Sequence, residues 1–261
     1  MNLTLNGKRA VVCGSTQGIG KAIAVELALL GASCTLIARN ENKLRQAIGE
    51  LAANAGQEHE YLVADFSKIS EVQALIDGSL KNRTVHILIN NTGGPAAGPI
   101  VDATAEQFLA AFQQHLVVNH LLTNAVIPSM RNAEYGRIIN IVSTSVKIPI
   151  RNLGVSNTVR GAVASWAKTM ANELGRWQIT VNNLLPGNIT TSRLDSLITT
   201  TAQHTNVSTA EVEAAMKKDI PLGRFGTPGE IAALAAFLAA PAGAYISGTS
   251  IPVDGGKTGS I

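Results

Sequence analysis

Short apolar runs separated by helical stretches recur along this chain, and that alternation limits its fold more than any other feature. The runs are Arg9 to Cys13, Ser33 to Ala38, Glu60 to Ala64, Val85 to Asn90, Arg137 to Val142, Ile179 to Leu184 and Ser250 to Val253. Between them the pattern predicts helices over about Lys21 to Leu30, Glu41 to Asn54, Ser70 to Leu80, Ala105 to Met130, Ser156 to Leu174 and Glu230 to Leu238. Strands joined through helices pair in parallel by right-handed crossovers. Strands that are apolar throughout belong in a sheet covered on both faces. The expected fold is therefore α/β: a Rossmann-like, doubly wound parallel sheet flanked by helices in three layers.

At 261 residues with 46% hydrophobic content, the chain can bury one large core, and we expect a single domain over residues 1–261. The stretch from about 190 to 218 is rich in Thr, Ser and Asn. Within it, Ser208-Thr209-Ala210-Glu211 has the pattern of a capping box, so we expect a mobile helical lid over the substrate site. The net charge is +3 and the basic residues are dispersed, which argues against a nucleic-acid partner. No apolar run reaches the length of a membrane span and no leader pattern is present, so a cytoplasmic protein without a membrane partner is expected. Cys13 and Cys34 fall inside strand-like runs and read as buried free thiols; no metal site is expected.

Gly14-Ser15-Thr16-Gln17-Gly18-Ile19-Gly20 lies between the first strand and the first helix. Glycines at such a turn let backbone approach a pyrophosphate, and the helix N-terminus offers free N–H groups and a positive dipole end. The second strand ends at Ala38-Arg39 with no carboxylate for ribose hydroxyls. Arg39 can instead meet a 2′-phosphate with its planar fork, which favours NADP(H) over NAD(H).

The Gly-x3-Gly-x-Gly spacing, with several later segments, resembles the short-chain dehydrogenase/reductase family over nearly the whole chain, and its 3-oxoacyl-carrier-protein reductase branch in particular. Asn90-Asn91-Thr92-Gly93 is similar to that family's Asn-Asn-Ala-Gly segment, and Gly136 to Ser143 to its fifth strand with the catalytic Ser. Val181 to Gly187, Pro221-Leu222-Gly223-Arg224 and Val253-Asp254-Gly255-Gly256 are similar to its later signatures. The resemblance implies a cofactor site built from Gly14 to Gly20, Arg39, Asp65 and Phe66 after the third strand, and Asn91, Thr92 and Gly93 after the fourth. It adds Pro186, Gly187, Ile189 and Thr191 after the sixth. It also implies a homodimer or homotetramer, with the two long helices and the last strand at the interfaces; Trp166 and Trp177 are candidate contacts there or core residues.

The family's catalytic residues are Asn, Ser, Tyr and Lys, and only Ser143 matches. Thirteen residues after it, in the Tyr position, stands Ser156; four residues later, in the Lys position, stands Arg160. Ser156 can donate a hydrogen bond but is a poor acid. Arg160 can hold ribose hydroxyls but releases no proton to a relay. Counting back from Pro128 puts His115 in the Asn position; sliding the alignment would use Asn119. A His here would titrate near neutral pH and act as acid or base, or it could be a helix-interface His. Lys147, four residues past Ser143, is a substitute cation or a solvent-facing loop residue. Tyr61, Tyr135 and Tyr245 have no useful spacing to Ser143.

Two functions follow. One is an NADP(H)-dependent oxidoreductase interconverting a ketone and a secondary alcohol in an atypical active site, with a small carbonyl or alcohol compound as substrate. The other is a catalytically silent nucleotide- or ligand-binding or partner subunit; a lyase, epimerase or isomerase on the same fold stands behind both. Arg151 and Arg193 hint at an anionic substrate group.

Overall fold

The computed structural model describes residues 1–260. Seven strands form one parallel sheet: β1 (Arg9–Cys13), β2 (Ser33–Ala38), β3 (Glu60–Val63), β4 (Ile87–Asn90), β5 (Gly136–Ile141), β6 (Ile179–Pro186) and β7 (Ser250–Val253). Their spatial order is β3-β2-β1-β4-β5-β6-β7. The chain reverses its direction of travel across the sheet between β1 and β4. Loops leaving the two strands part there and open a crevice at the carboxyl ends, where ligands bind in such sheets.

Strand residues alternate between two cores. Ala10, Val12, Leu36, Ile87, Ile89 and Ile139 face α1 (Gly18–Leu29) and α9 (Pro228–Ala239). Val11, Cys13, Ile37, Leu88, Ile138 and Val181 face the opposite layer. That layer contains α3 (Ile69–Leu75), α5 (Val118–Asn132) and α6 (Gly154–Leu174). This period of two is what a pleated strand dictates when both faces are covered. Cys13 and Cys34 are buried free thiols, and burial pushes each to about 12.

Several helices differ from the expected extents; the one expected over Ser70 to Leu80 is α3 and then a wide turn over Ile76–Leu80. α1 starts at Gly18, inside the glycine loop, rather than at Lys21. α2 (Glu41–Gly49) stops before Asn54 because the segment beyond it carries no further apolar periodicity. The long helix expected over Ala105 to Met130 is α4 (Ala105–Phe112), one wide turn over Gln113–Val117, and then α5. A wide turn closes i→i+5 and holds one residue more than an α-turn, so it shifts the face that follows; such turns recur at functional sites. His115 lies in it and is 1% exposed.

The segment expected to form a lid contains two helices, α7 (Ser192–Thr205) and α8 (Thr209–Lys218). The Ser208 capping box is present: its Oγ accepts from Glu211 N at 3.2 Å, while Glu211 accepts from Ser208 N at 2.8 Å. Leu194, Ile198, Ala202, Val212, Ile220 and Phe225 give the pair a small core of its own. Among the described residues no helix is long and apolar enough to cross a membrane.

Candidate active site

The glycine loop leaves β1 at the crevice, and Asn91 holds it there. Asn91 Nδ2 donates to Cys13 O at 3.2 Å and to Gly14 O at 3.1 Å. Gly14 and Gly18 take φ values of +59° and +58°, which favour glycine. A Cβ on Gly14 would lie 2.5 Å from Asn91 O, and one on Gly20 would run into the Gly14 carbonyl oxygen. The N-cap of α1, Gln17, makes no side-chain cap bond, and the first turn has no acidic residue. Its first N–H groups are thus available to an anion. Ser15 is fully buried and its Oγ has no partner. Gln17 Nε2 donates to Ser192 Oγ at 3.2 Å, and Thr191 packs beside Gly18, which brings the start of α7 onto the loop.

Arg39 is exposed just past β2. It lies close enough to Asp65 to help lower that carboxyl, after the larger effect of the hydrogen bond from Ser67 N at 3.0 Å. Arg39 and Asp65 therefore border one region. Phe66 is turned into the core, which leaves only its backbone for a ligand. Ile189 is likewise buried. Gly187 N donates to Val253 O at 3.0 Å, and Thr191 stands at the N-cap position of α7 without a side-chain cap bond. Gly93 is exposed with open space around it, and Thr16 is half-buried beside the loop.

Ser143 follows β5 in extended backbone and caps a short turn, its Oγ accepting from Ser145 N at 3.1 Å. Lys147 ends that turn and is exposed. Ser156 is 6% exposed in the first turn of α6. One turn later Arg160 donates from Nη1 to Ile141 O, at the end of β5, at 2.8 Å, while its Nε is sealed from solvent without a partner. His115 reaches the loop after β4: its Nδ1 lies 2.5 Å from Thr92 Oγ1, and its Nε2 is buried without a partner.

Burial, then the charges of Arg160 and Arg193, push His115 down to about 3. This corrects the expectation that it titrates near neutral pH. At pH 7 the ring is neutral and offers a hydrogen bond, with no proton to give as an acid. Asn119 is also buried on α5, with Oδ1 unpartnered. Burial, then Arg193, lowers the Arg160 guanidinium to about 10, still fully charged at pH 7. Arg193 comes over from α7: Nη1 donates to Gly94 O at 3.2 Å and Nη2 is 3.4 Å from Pro95 O. None of the three tyrosines is in this cluster: Tyr61 bonds Glu41, Tyr135 bonds Ala239 O at 2.5 Å, and Tyr245 is fully exposed. A cavity of about 450 Å³ adjoins the first turn of α6, lined by Ile100, Ser145, Ile150, Arg151 and Asn157 among others.

Sequence reasoning missed one feature beneath the site. Asn90, Asn140, Asn183 and Ser250 occupy matching positions on β4 to β7. Asn90 Nδ2 donates to Asn140 Oδ1 at 2.9 Å, Asn140 Nδ2 to Asn183 Oδ1 at 2.9 Å, and Asn183 Nδ2 to Ser250 Oγ at 3.0 Å. Asparagine inside apolar strands was the available signal, but only register makes it a ladder.

The family described as Enoyl-(Acyl carrier protein) reductase matches residues 14–258. The chain belongs to the short-chain dehydrogenase/reductase family. It is 32% identical over 257 residues to a chloroplastic tropinone reductase homolog of Arabidopsis thaliana, covering 98% of this chain and 77% of that one. It is 31% identical over 259 residues to the NADPH-dependent reductase BacG of Bacillus subtilis (strain 168), covering 98% and 100%. The crystal structure of L-sorbose reductase from Gluconobacter frateurii complexed with NADPH and L-sorbose superposes with a TM-score of 0.92. That pair is 27% identical, with 100% of each chain covered. As a short-chain dehydrogenase/reductase, the chain belongs among NAD(P)-dependent oxidoreductases.

Proposed function

We propose that this chain is an NADP(H)-dependent oxidoreductase that interconverts a ketone and a secondary alcohol without the family's Tyr and Lys. The observation that carries this reading is the preserved cofactor cradle: packed glycines, an uncapped α1 N-terminus and the unpartnered Ser15 Oγ. Arg39 at the end of β2, with no carboxylate in its place, supports NADP(H). So do an NADPH-dependent reductase and an NADPH-bound sugar reductase among the similar proteins.

In this reading the glycine loop and the α1 N-terminus hold the pyrophosphate, Asp65 borders the adenine, and Asn91, Thr92 and Thr191 line the path to the nicotinamide. NADPH supplies the hydride. Ser143 and Ser156 donate hydrogen bonds to the substrate oxygen, and the Arg160 charge stabilises the alkoxide that forms there. The proton comes from water, because neither a serine nor a neutral His115 releases one at pH 7. Losing a positioned general acid costs about 10²–10⁴ in rate. Holding the reactants together contributes up to about 7–11 kcal/mol, so such a site is slow rather than dead. The rest of the reading is one domain, a lid formed by α7 and α8, a homodimer or homotetramer, and a cytoplasmic location.

One observation favours a silent binding subunit instead: Arg160 spends one arm of its fork on the Ile141 carbonyl, which a ribose would otherwise engage. A single-turnover assay separates the two readings. Protein loaded with NADPH is mixed with 3-oxoacyl thioesters, diketones and keto sugars, and absorbance at the reduced nicotinamide band is followed. Loss of that band with any compound is the expected result. Stable absorbance across the panel, with NADPH shown to be bound, supports the silent subunit.

A further inference from the structure

Two arginines, Arg160 half-buried and Arg193 exposed, act on His115 and make no ion pair among the described residues. Arg160 comes from α6 and Arg193 from α7, and their protein hydrogen bonds go to carbonyl oxygens of Ile141, Gly94 and Pro95. The ion pairs found among the described residues all lie elsewhere. His115 contributes a sealed Nε2 with no partner, and Arg160 a sealed Nε with none. These groups share one short stretch of backbone: His115 bonds Thr92, and Arg193 bonds the carbonyls two and three residues further on.

The sealed Nε of Arg160 has lost its water without gaining a partner, a cost that an arriving anion would offset, while the exposed Arg193 stays hydrated. The glycine loop already offers the N–H groups that a pyrophosphate needs, so this second cationic centre serves another anion. We propose that the cleft takes an oxo acid, a ketone whose carboxylate is held by Arg193 and Arg160. A carboxylate would be met by the guanidinium N–H groups that the Ile141, Gly94 and Pro95 carbonyls leave free. It would also fix the carbonyl relative to Ser143 and Ser156. This inference rests on the oxidoreductase reading. The carbonyl carbon would receive a hydride from the bound cofactor, the π pair of the C=O bond would move to oxygen, and water would protonate that oxygen, leaving hydroxide beside the hydroxy acid and NADP⁺.

Binding tests this apart from turnover. The Kd of NADPH is measured first by fluorescence. Calorimetric titrations then compare 2-oxo-4-phenylbutanoate and levulinate with their ethyl esters, on protein with and without NADP⁺. At least one acid should bind tenfold or more tighter than its ester. Arg193→Gln should weaken that acid tenfold or more and its ester less than twofold, with Arg193→Lys restoring part of the loss and NADPH affinity staying within threefold. Acids and esters binding alike would overturn the proposal. So would an Arg193→Gln variant that weakens NADPH as much as the acid, since the cation would then serve the cofactor's phosphates. Failure to bind NADPH strikes the oxidoreductase reading alone, because the acid and ester titrations without cofactor still decide the carboxylate site.

Discussion

Arg39 and His115 carry the sharpest single-residue consequences. If Arg39 meets the 2′-phosphate, Arg39→Asp removes a charge-assisted contact worth about 1.5–3 kcal/mol. NADPH affinity should then fall by roughly 10- to 100-fold with little change for NADH. Equal loss of both in fluorescence titrations would remove Arg39 from phosphate recognition. His115 makes stability depend on pH. Its ordinary value is 6.5 and its folded value about 3, lowered by burial first and then by the two arginines. Below 6.5 the unfolded chain takes a proton that the folded chain refuses until about pH 3. Stability is therefore full above that window and falls as pH drops through it, by about 1.4 kcal/mol per unit for one such group. His86, lowered to about 4 by burial and then by Lys8 and Arg9, acts in the same direction. In urea denaturation at pH 7 and pH 5, His115→Gln should lose less stability on acidification than the parent, because one of the two depressed histidines is then gone.

The wide turn between α4 and α5 and the asparagine ladder show how elements set the site. The turn seats His115 against Thr92, a placement that an unbroken helix would rotate away. The ladder ties β4, β5 and β6 together below the carboxyl ends of those strands, with Asn140 at its centre and fully buried. Asn140→Ala leaves the buried amides of Asn90 and Asn183 each short of a partner. Each orphaned group costs about 1–3 kcal/mol, so we expect a total near ~3 kcal/mol in chemical denaturation. A change below ~1 kcal/mol would mean that the ladder merely fills space. At the loop, Gly20→Ala drives a methyl into the Gly14 carbonyl, so cofactor affinity should fall by tenfold or more while the far-ultraviolet dichroism is retained.

Across the molecule, α4 and the turn before it leave apolar side chains in water. Val101 is 87% exposed and Leu109 70%. Exposed apolar groups of this size near one another in the chain are candidates for an association surface. The proposed homodimer or homotetramer should appear by light scattering of the parent. The double variant Val101→Asp, Leu109→Asp should shift it toward monomer; a parent that is already monomeric would remove the assembly from the proposal.

Much of the fold was legible in one dimension because its signals are local. Strands β1, β2 and β7 begin and end where their apolar runs do, and the glycine loop announces itself by spacing. The exchange of Tyr and Lys for Ser156 and Arg160 is likewise a matter of counting. What the residues do next depends on neighbours far away in the chain. The titration of His115 was misjudged because burial and the charges of Arg160 and Arg193, the latter some eighty positions later, exist only once α5, α6 and α7 converge. The ladder needed the register of four strands, and the wide turn at His115 follows no local pattern in the sequence. Period and spacing determine which elements form and where a cofactor loop lies. Electrostatics and hydrogen-bond satisfaction inside the cleft belong to tertiary structure, because both depend on distance through space and on the exclusion of water.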